Sequence, residues 1–93
     1  MKTKRHIFLI SITFLIFFFS STVSFADDLQ DAAEAVRNKE YEKAYKLLLP
    51  LAQQGDRIAQ YNLSTLYSNG EGVARDFKEA IKWLRLAAEQ GYL

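Results

Sequence analysis

The chain contains no cysteine, and that removes several kinds of protein at once. No disulfide can staple a small fold, no thiolate can bind zinc or attack a substrate, and no lipidated cysteine can follow an apolar leader. Histidine is nearly absent as well, because the one copy, His6, lies among the first residues. The remainder therefore lacks the two commonest ligands of zinc and the transition metals, and neither a metal nor a cofactor is expected. Strong charge of one sign is also missing. From Asp27 to Leu93, nine Lys and Arg stand against eleven Asp and Glu, a net of −2, so the +1 of the whole chain comes from its basic start. A mixed-sign body of this kind has no clustered basic footprint, and no nucleic-acid partner is expected.

What is present begins with a leader. Lys2, Lys4 and Arg5 precede an apolar run from Ile7 to Phe19, broken only by Ser11 and Thr13. A Ser/Thr-rich segment follows, with small residues at Ser24 and Ala26, and then the acidic Asp27 and Asp28. A basic start, a short apolar core and small residues before the cut make up a cleavable secretory signal. Residues 1–26 are expected to be a Sec-type signal peptide cut after Ala26, which places residues 27–93 in a bacterial periplasm or outside the cell. The alternative is an uncleaved anchor, since residues 7–26 are uncharged over about the length that spans a bilayer. With cleavage, no membrane association is expected.

Residues 27–93 repeat themselves. A shift of 36 residues lays Tyr41–Gly55 over Phe77–Gly91 without a gap, and six of the fifteen positions are identical: Ala44/Ala80, Lys46/Lys82, Leu48/Leu84, Ala52/Ala88, Gln54/Gln90 and Gly55/Gly91. Phe77, Ala80, Ile81, Leu84, Ala87 and Ala88 recur at helical spacing, which predicts a helix with one buried side. Gly55 and Gly91 fall where a left-handed residue closes a helix. Asp76 and Glu79 suit the start of the last helix, and Glu42 with Lys46 suits a surface pair. A further helix precedes each of these, over Asp28 to about Asn38 and Asp56 to about Asn69. Lys39-Glu40 then serves as a tight turn and Gly70–Arg75 as a longer loop. Pro50 is expected to kink the second helix or to split off its last turn. The fold class is therefore all-α, an α/α solenoid of two helix-turn-helix repeats behind an N-terminal signal helix, with repeat one at about 28–55 and repeat two at about 56–91.

Ala59-Gln-Tyr-Asn-Leu-Ser-Thr-Leu-Tyr67, Gly70-Glu-Gly-Val73, Asp76, Ala80, Trp83, Ala87-Ala88 and Gly91 together resemble a Sel1-like repeat, the α/α unit related to the tetratricopeptide repeat. Asp28–Gly55 fits the pattern more loosely, lacks the G-x-G-V loop, and in Asn38–Ala44 looks more like a tetratricopeptide repeat. Ser64 stands where the family usually has glycine, and its small side chain still fits a close helix contact. The resemblance implies a scaffold or adaptor that holds a peptide or protein in a helical groove, and it implies no catalytic residues. The absence of cysteine sets the chain apart from exported relatives stapled by disulfides. In such a stack Tyr67 and Trp83 occupy packing positions. Tyr61 lies off the buried stripe, and Asn62, Thr65 and Asn69 fall on the groove side. Tyr61, Asn62, Thr65 and Asn69 are thus the candidate partner-binding residues, against the plainer reading of a solvated polar face.

Little else points to chemistry. Gly70–Arg75 has no preceding strand, no third glycine and no following Lys-Ser/Thr, so it reads as a turn and not as a phosphate cradle. The pairs Asp27/Asp28, Asp31/Glu34 and Glu40/Glu42 sit at helix starts and turns, where solvation accounts for them. A hydrolase needs a nucleophile with a base, and the body offers neither His nor an S-x-x-K spacing, so no enzyme is expected. Two repeats are few for a stable stack. The last helix is expected to carry an uncovered apolar flank, as in a truncated fragment of a longer array with no independent activity, or in a chain that associates with itself or a partner through that face.

Overall fold

A computed structural model describes residues 26–92. The expected signal peptide lies outside the described residues, apart from Ala26. Among the described residues there are four helices and no strand: α1 over residues 26–37, α2 Tyr41–Gln53, α3 Arg57–Asn69 and α4 Phe77–Glu89. No helix among them is long and apolar enough to cross a membrane.

Local chemistry sets the boundaries. The Asp56 carboxylate accepts from the backbone N–H of Ala59 at 2.7 Å and opens α3. Asp76 does the same for α4, accepting from Lys78 and Glu79 at 3.1 and 3.2 Å. Each carboxylate satisfies donors that the first helical turn cannot satisfy itself. Glu79 does not reach back to complete a box; the Asp76 N–H goes to the Tyr67 carbonyl instead, and Glu79 pairs with Lys82 at 3.0 Å.

The helix ends are matched in pairs. α2 closes with Gly55 N–H to Ala52 O and Asp56 N–H to Leu51 O; α4 closes with Gly91 N–H to Ala88 O and Tyr92 N–H to Ala87 O. These bonds are 36 residues apart, the same offset that relates the two sequences. α1 and α3 share a different offset, because Glu40 N–H reaches Ala35 O as Glu71 N–H reaches Leu66 O, 31 residues on. The left-handed position is Gly70 in α3 and Lys39 in α1, with φ of 68° and 61°. A side chain there costs about 1 kcal/mol relative to glycine.

Packing follows the small residues. Ala32, Ala35, Ala44, Ala52 and Ala59 are buried between Leu48, Leu51, Leu63, Leu66, Tyr67 and Trp83. Alanine lets helix axes approach closely while the larger side chains fill the remaining space. Tyr67 and Trp83 are core residues, as their positions predict. Ser64 is buried at the expected close contact, and its hydroxyl donates to Tyr61 O at 2.6 Å.

Three expectations need correction. Pro50 does not split α2, which runs unbroken through it to Gln53. Pro50 and Lys46 are both exposed, so the carbonyl left without a partner can be solvated. Glu42 and Lys46 do not pair; the ion pairs among the described residues are Lys43–Glu40 and Lys82–Glu79. In α4 the buried side is Ala80, Trp83 and Ala87, whereas Phe77, Ile81 and Leu84 are 59%, 54% and 37% exposed. Those three form the uncovered apolar flank.

Candidate partner-binding surface

α3 buries Ala59, Gln60, Leu63, Ser64, Leu66 and Tyr67 against its neighbours, which leaves the opposite side of the helix open. That side presents Ile58, Tyr61, Asn62, Thr65 and Asn69. Thr65, Asn69 and Ile58 are exposed, while Tyr61 and Asn62 are half-buried. Spacings of three and four residues put all five on one stripe. The four residues singled out from the sequence therefore do come together.

Their hydrogen bonding differs. Asn62 makes no hydrogen bond to another described residue, so its amide is open to a partner. The Thr65 hydroxyl has only a long contact to Tyr61 O at 3.3 Å. Asn69 is already engaged: its Nδ2 donates to Glu71 Oε1 at 2.7 Å. Glu71 in turn acts on Tyr41, and hydrogen bonding to this carboxylate, then burial, then its charge hold the Tyr41 phenol above its ordinary pKa. Gly72 sits beside this group at φ 73°, and a Cβ there would collide with the Tyr41 carbonyl. The G-x-G-V loop is thus laid directly on the first turn of α2, and Asn69 belongs to its fastening.

Two members of the surface were not identified from the sequence. Ile58 continues the Asn62 stripe by one turn and could have been found by spacing. Tyr92 has no such signal. It meets Tyr61 edge-on, with ring centroids 5.3 Å apart at 61°. Gln90 carries it there, because its Nε2 donates both to Gly55 O at 2.9 Å and to Gln60 Oε1 at 2.8 Å. Gln60 is buried and donates onward to Ala52 O at 3.2 Å. One amide chain therefore ties the end of α4 to α3 and to the α2–α3 turn.

The result is an aromatic pair beside the Asn62 amide and the Thr65 hydroxyl on one face of a helix. Such a surface can bond an extended backbone and hold an apolar side chain. No nucleophile–base pair is present on it.

Comparison with known proteins agrees with this architecture. The Sel1 repeat family matches at residues 30–56 and 57–92, together more than half of the chain. A Sel1-like repeat-containing protein of Acanthamoeba polyphaga mimivirus is 42% identical over 39 residues, which is 42% of this chain and 7% of that relative. No solved structure matches. Sel1 repeats are generally protein-interaction modules. With two matched helix pairs, the G-x-G-V loop seated on α2 and the alanine seams in register, the chain belongs to the Sel1 repeat family.

Proposed function

We propose that this chain is an exported adaptor that holds a peptide or protein segment along the open side of α3. The observation that carries this reading is the Tyr61–Tyr92 pair flanked by the Asn62 amide, which bonds no other described residue, and the Thr65 hydroxyl. Tyrosine supplies contact area at small entropic cost, and an amide can bond a partner's backbone through both its donor and its acceptor. Asn69 plays a lesser part because Glu71 takes one of its two N–H donors. Export is supported by the basic and apolar leader with small residues at Ser24 and Ala26. Mass spectrometry of the purified chain tests the cut after Ala26. No catalytic role is assigned, since residues 27–93 contain Ser and Thr but no His to act as base.

The test of groove binding is affinity capture from an extract of the exported compartment, with Tyr61→Ala and Asn62→Ala in parallel and circular dichroism to verify folding. A partner held by the native chain and lost in both variants supports the proposal. Retention by both variants, or capture of nothing, ends it. Self-association is a second reading, favoured by the uncovered stripe on α4, which lies on a different helix and is compatible with a filled groove.

A further inference from the structure

We infer that the open face of α4 takes α1 of a second copy, so that chains associate head to tail. The inference rests on the self-association reading and adds which helix docks and with what polarity. It comes from the molecule's own inter-repeat seam. There α3 covers α2: Tyr67 lies edge-on to Tyr45, Gln60 bonds the Ala52 carbonyl, and Leu48 is 0% exposed. The 36-residue offset carries Tyr45, Leu48 and Ala52 onto Ile81, Leu84 and Ala88. All three of these are exposed, with Leu84 at 37% where Leu48 has none. The face is thus the same acceptor without its helix.

The 31-residue offset identifies the matching donor. It carries Gln60, Ser64 and Tyr67 back onto Leu29, Ala33 and Val36 of α1, each of which is only half-buried. The substitutions on the two faces are correlated. Where α2 and α3 meet through two tyrosine hydroxyls, α4 offers Ile81 and α1 offers Val36. Where Gln60 reaches a carbonyl, α1 has Leu29. The side-chain hydrogen bond of the internal seam, Tyr45 to Tyr67, thus becomes an apolar pair on both faces, and the Gln60 donor becomes a leucine. Charge agrees: α1 has Asp27, Asp28, Asp31 and Glu34 against Arg37, whereas α4 has Lys78, Lys82 and Arg85 against Glu79 and Glu89. A symmetric α4–α4 pairing is disfavoured, because Lys78 and Arg85 border the stripe and a dyad centred near Ile81 would set Lys78 of one copy against Arg85 of the other, cation against cation. The head-to-tail contact is heterologous, so it leaves a free face at each end and adds further copies.

The chain has no cysteine, which permits a direct test on the whole chain, purified as the cell processes it. Ile81→Cys and Val36→Cys are made separately, mixed and treated with a short bismaleimide. Head-to-tail docking gives a mixed Ile81→Cys/Val36→Cys cross-link several-fold above either self-cross-link, and light scattering of the native chain shows mass rising with concentration. An Ile81→Cys self-cross-link that equals or exceeds the mixed one overturns the head-to-tail inference while leaving self-association standing. A native chain that stays monomeric at every concentration, with no cross-link in any mixture, overturns both.

Discussion

The hydroxyls of Tyr45 and Tyr67 lie 2.9 Å apart across the α2–α3 seam, with the rings nearly perpendicular and their centroids 5.8 Å apart. One hydroxyl must donate and the other accept, so each satisfies a polar group that the surrounding apolar packing would otherwise strand. Tyr45→Phe and Tyr67→Phe should each cost about 0.5–1.5 kcal/mol. The double variant should cost less than the sum, because it strands no hydroxyl. Urea denaturation of the four proteins measures the coupling, and strict additivity would count against the pair.

The same contact makes the protein sensitive to base. Burial, then the bond to Tyr45, then nearby charge raise the Tyr67 phenol far above its ordinary pKa. A raised acid favours its protonated form in the folded state. Its contribution is whole below the unfolded value of about 10 and is lost as pH climbs above that. Urea midpoints should hold level from pH 8 to pH 9 and then fall through pH 11. The fall should be shallower in Tyr67→Phe; an equally steep fall would assign it to other groups.

Gly72 leaves no room for a side chain. Its φ of 73° and the approach of the Tyr41 carbonyl predict that Gly72→Ala costs about 1–3 kcal/mol. In a domain of this size each kcal/mol lowers the melting temperature by about 4–8 °C. Gly55 also has positive φ, at 103°, but nothing lies within 4 Å of its Cβ position, so Gly55→Ala should cost less. A reversed order in calorimetry would show that the loop does not rest on α2.

Gln60 has two jobs and should show both. Gln60→Ala removes the donor to Ala52 O and the acceptor for Gln90, inside the stack, and should cost about 1–3 kcal/mol. Gln90→Ala breaks one exposed and one partly buried bond and should cost about 1 kcal/mol, yet it should free Tyr92 from Tyr61. Nuclear magnetic resonance of the Tyr61 ring would report the release, and an unchanged ring environment would contradict the tether.

The helix starts allow a further comparison. Asp56→Ala and Asp76→Ala should each cost about 0.5–2 kcal/mol through lost N-caps. Asn at either position should recover most of that in thermal melts.

Much of this fold was legible because its signals are local. Gly55 and Gly91 mark helix ends by backbone conformation alone, and the 36-residue repeat paired α2 with α4 before any contact was known. The exposure of the α4 flank follows from counting which repeat has a neighbour, and the burial of Tyr67 and Trp83 from the packing positions that the family resemblance implies. What was not legible has another origin. Spacing places Asn69 on the open stripe of α3, where the structure also has it, but it gives no sign that the Glu71 carboxylate takes one of its N–H groups. Tyr92 entered the surface only because Gln90 bonds across 35 residues to Gly55, a contact that no pattern within one helix reveals. Pro50 obeyed its chemistry without breaking the helix, since exposure lets solvent answer the orphan carbonyl.

Trp83, the only tryptophan, is buried on the inner side of α4 with Lys82 Nζ 4.7 Å from its ring centroid, while the Tyr45–Tyr67 pair marks the boundary between the repeats. The single indole therefore reports on the last helix, and its fluorescence would follow the detachment of that helix in an unlabelled sample. The tyrosine signal sums over five rings and isolates the hairpin seam only as the difference between the native chain and Tyr45→Phe. Comparing the two signals reveals whether the hairpins melt together or in succession.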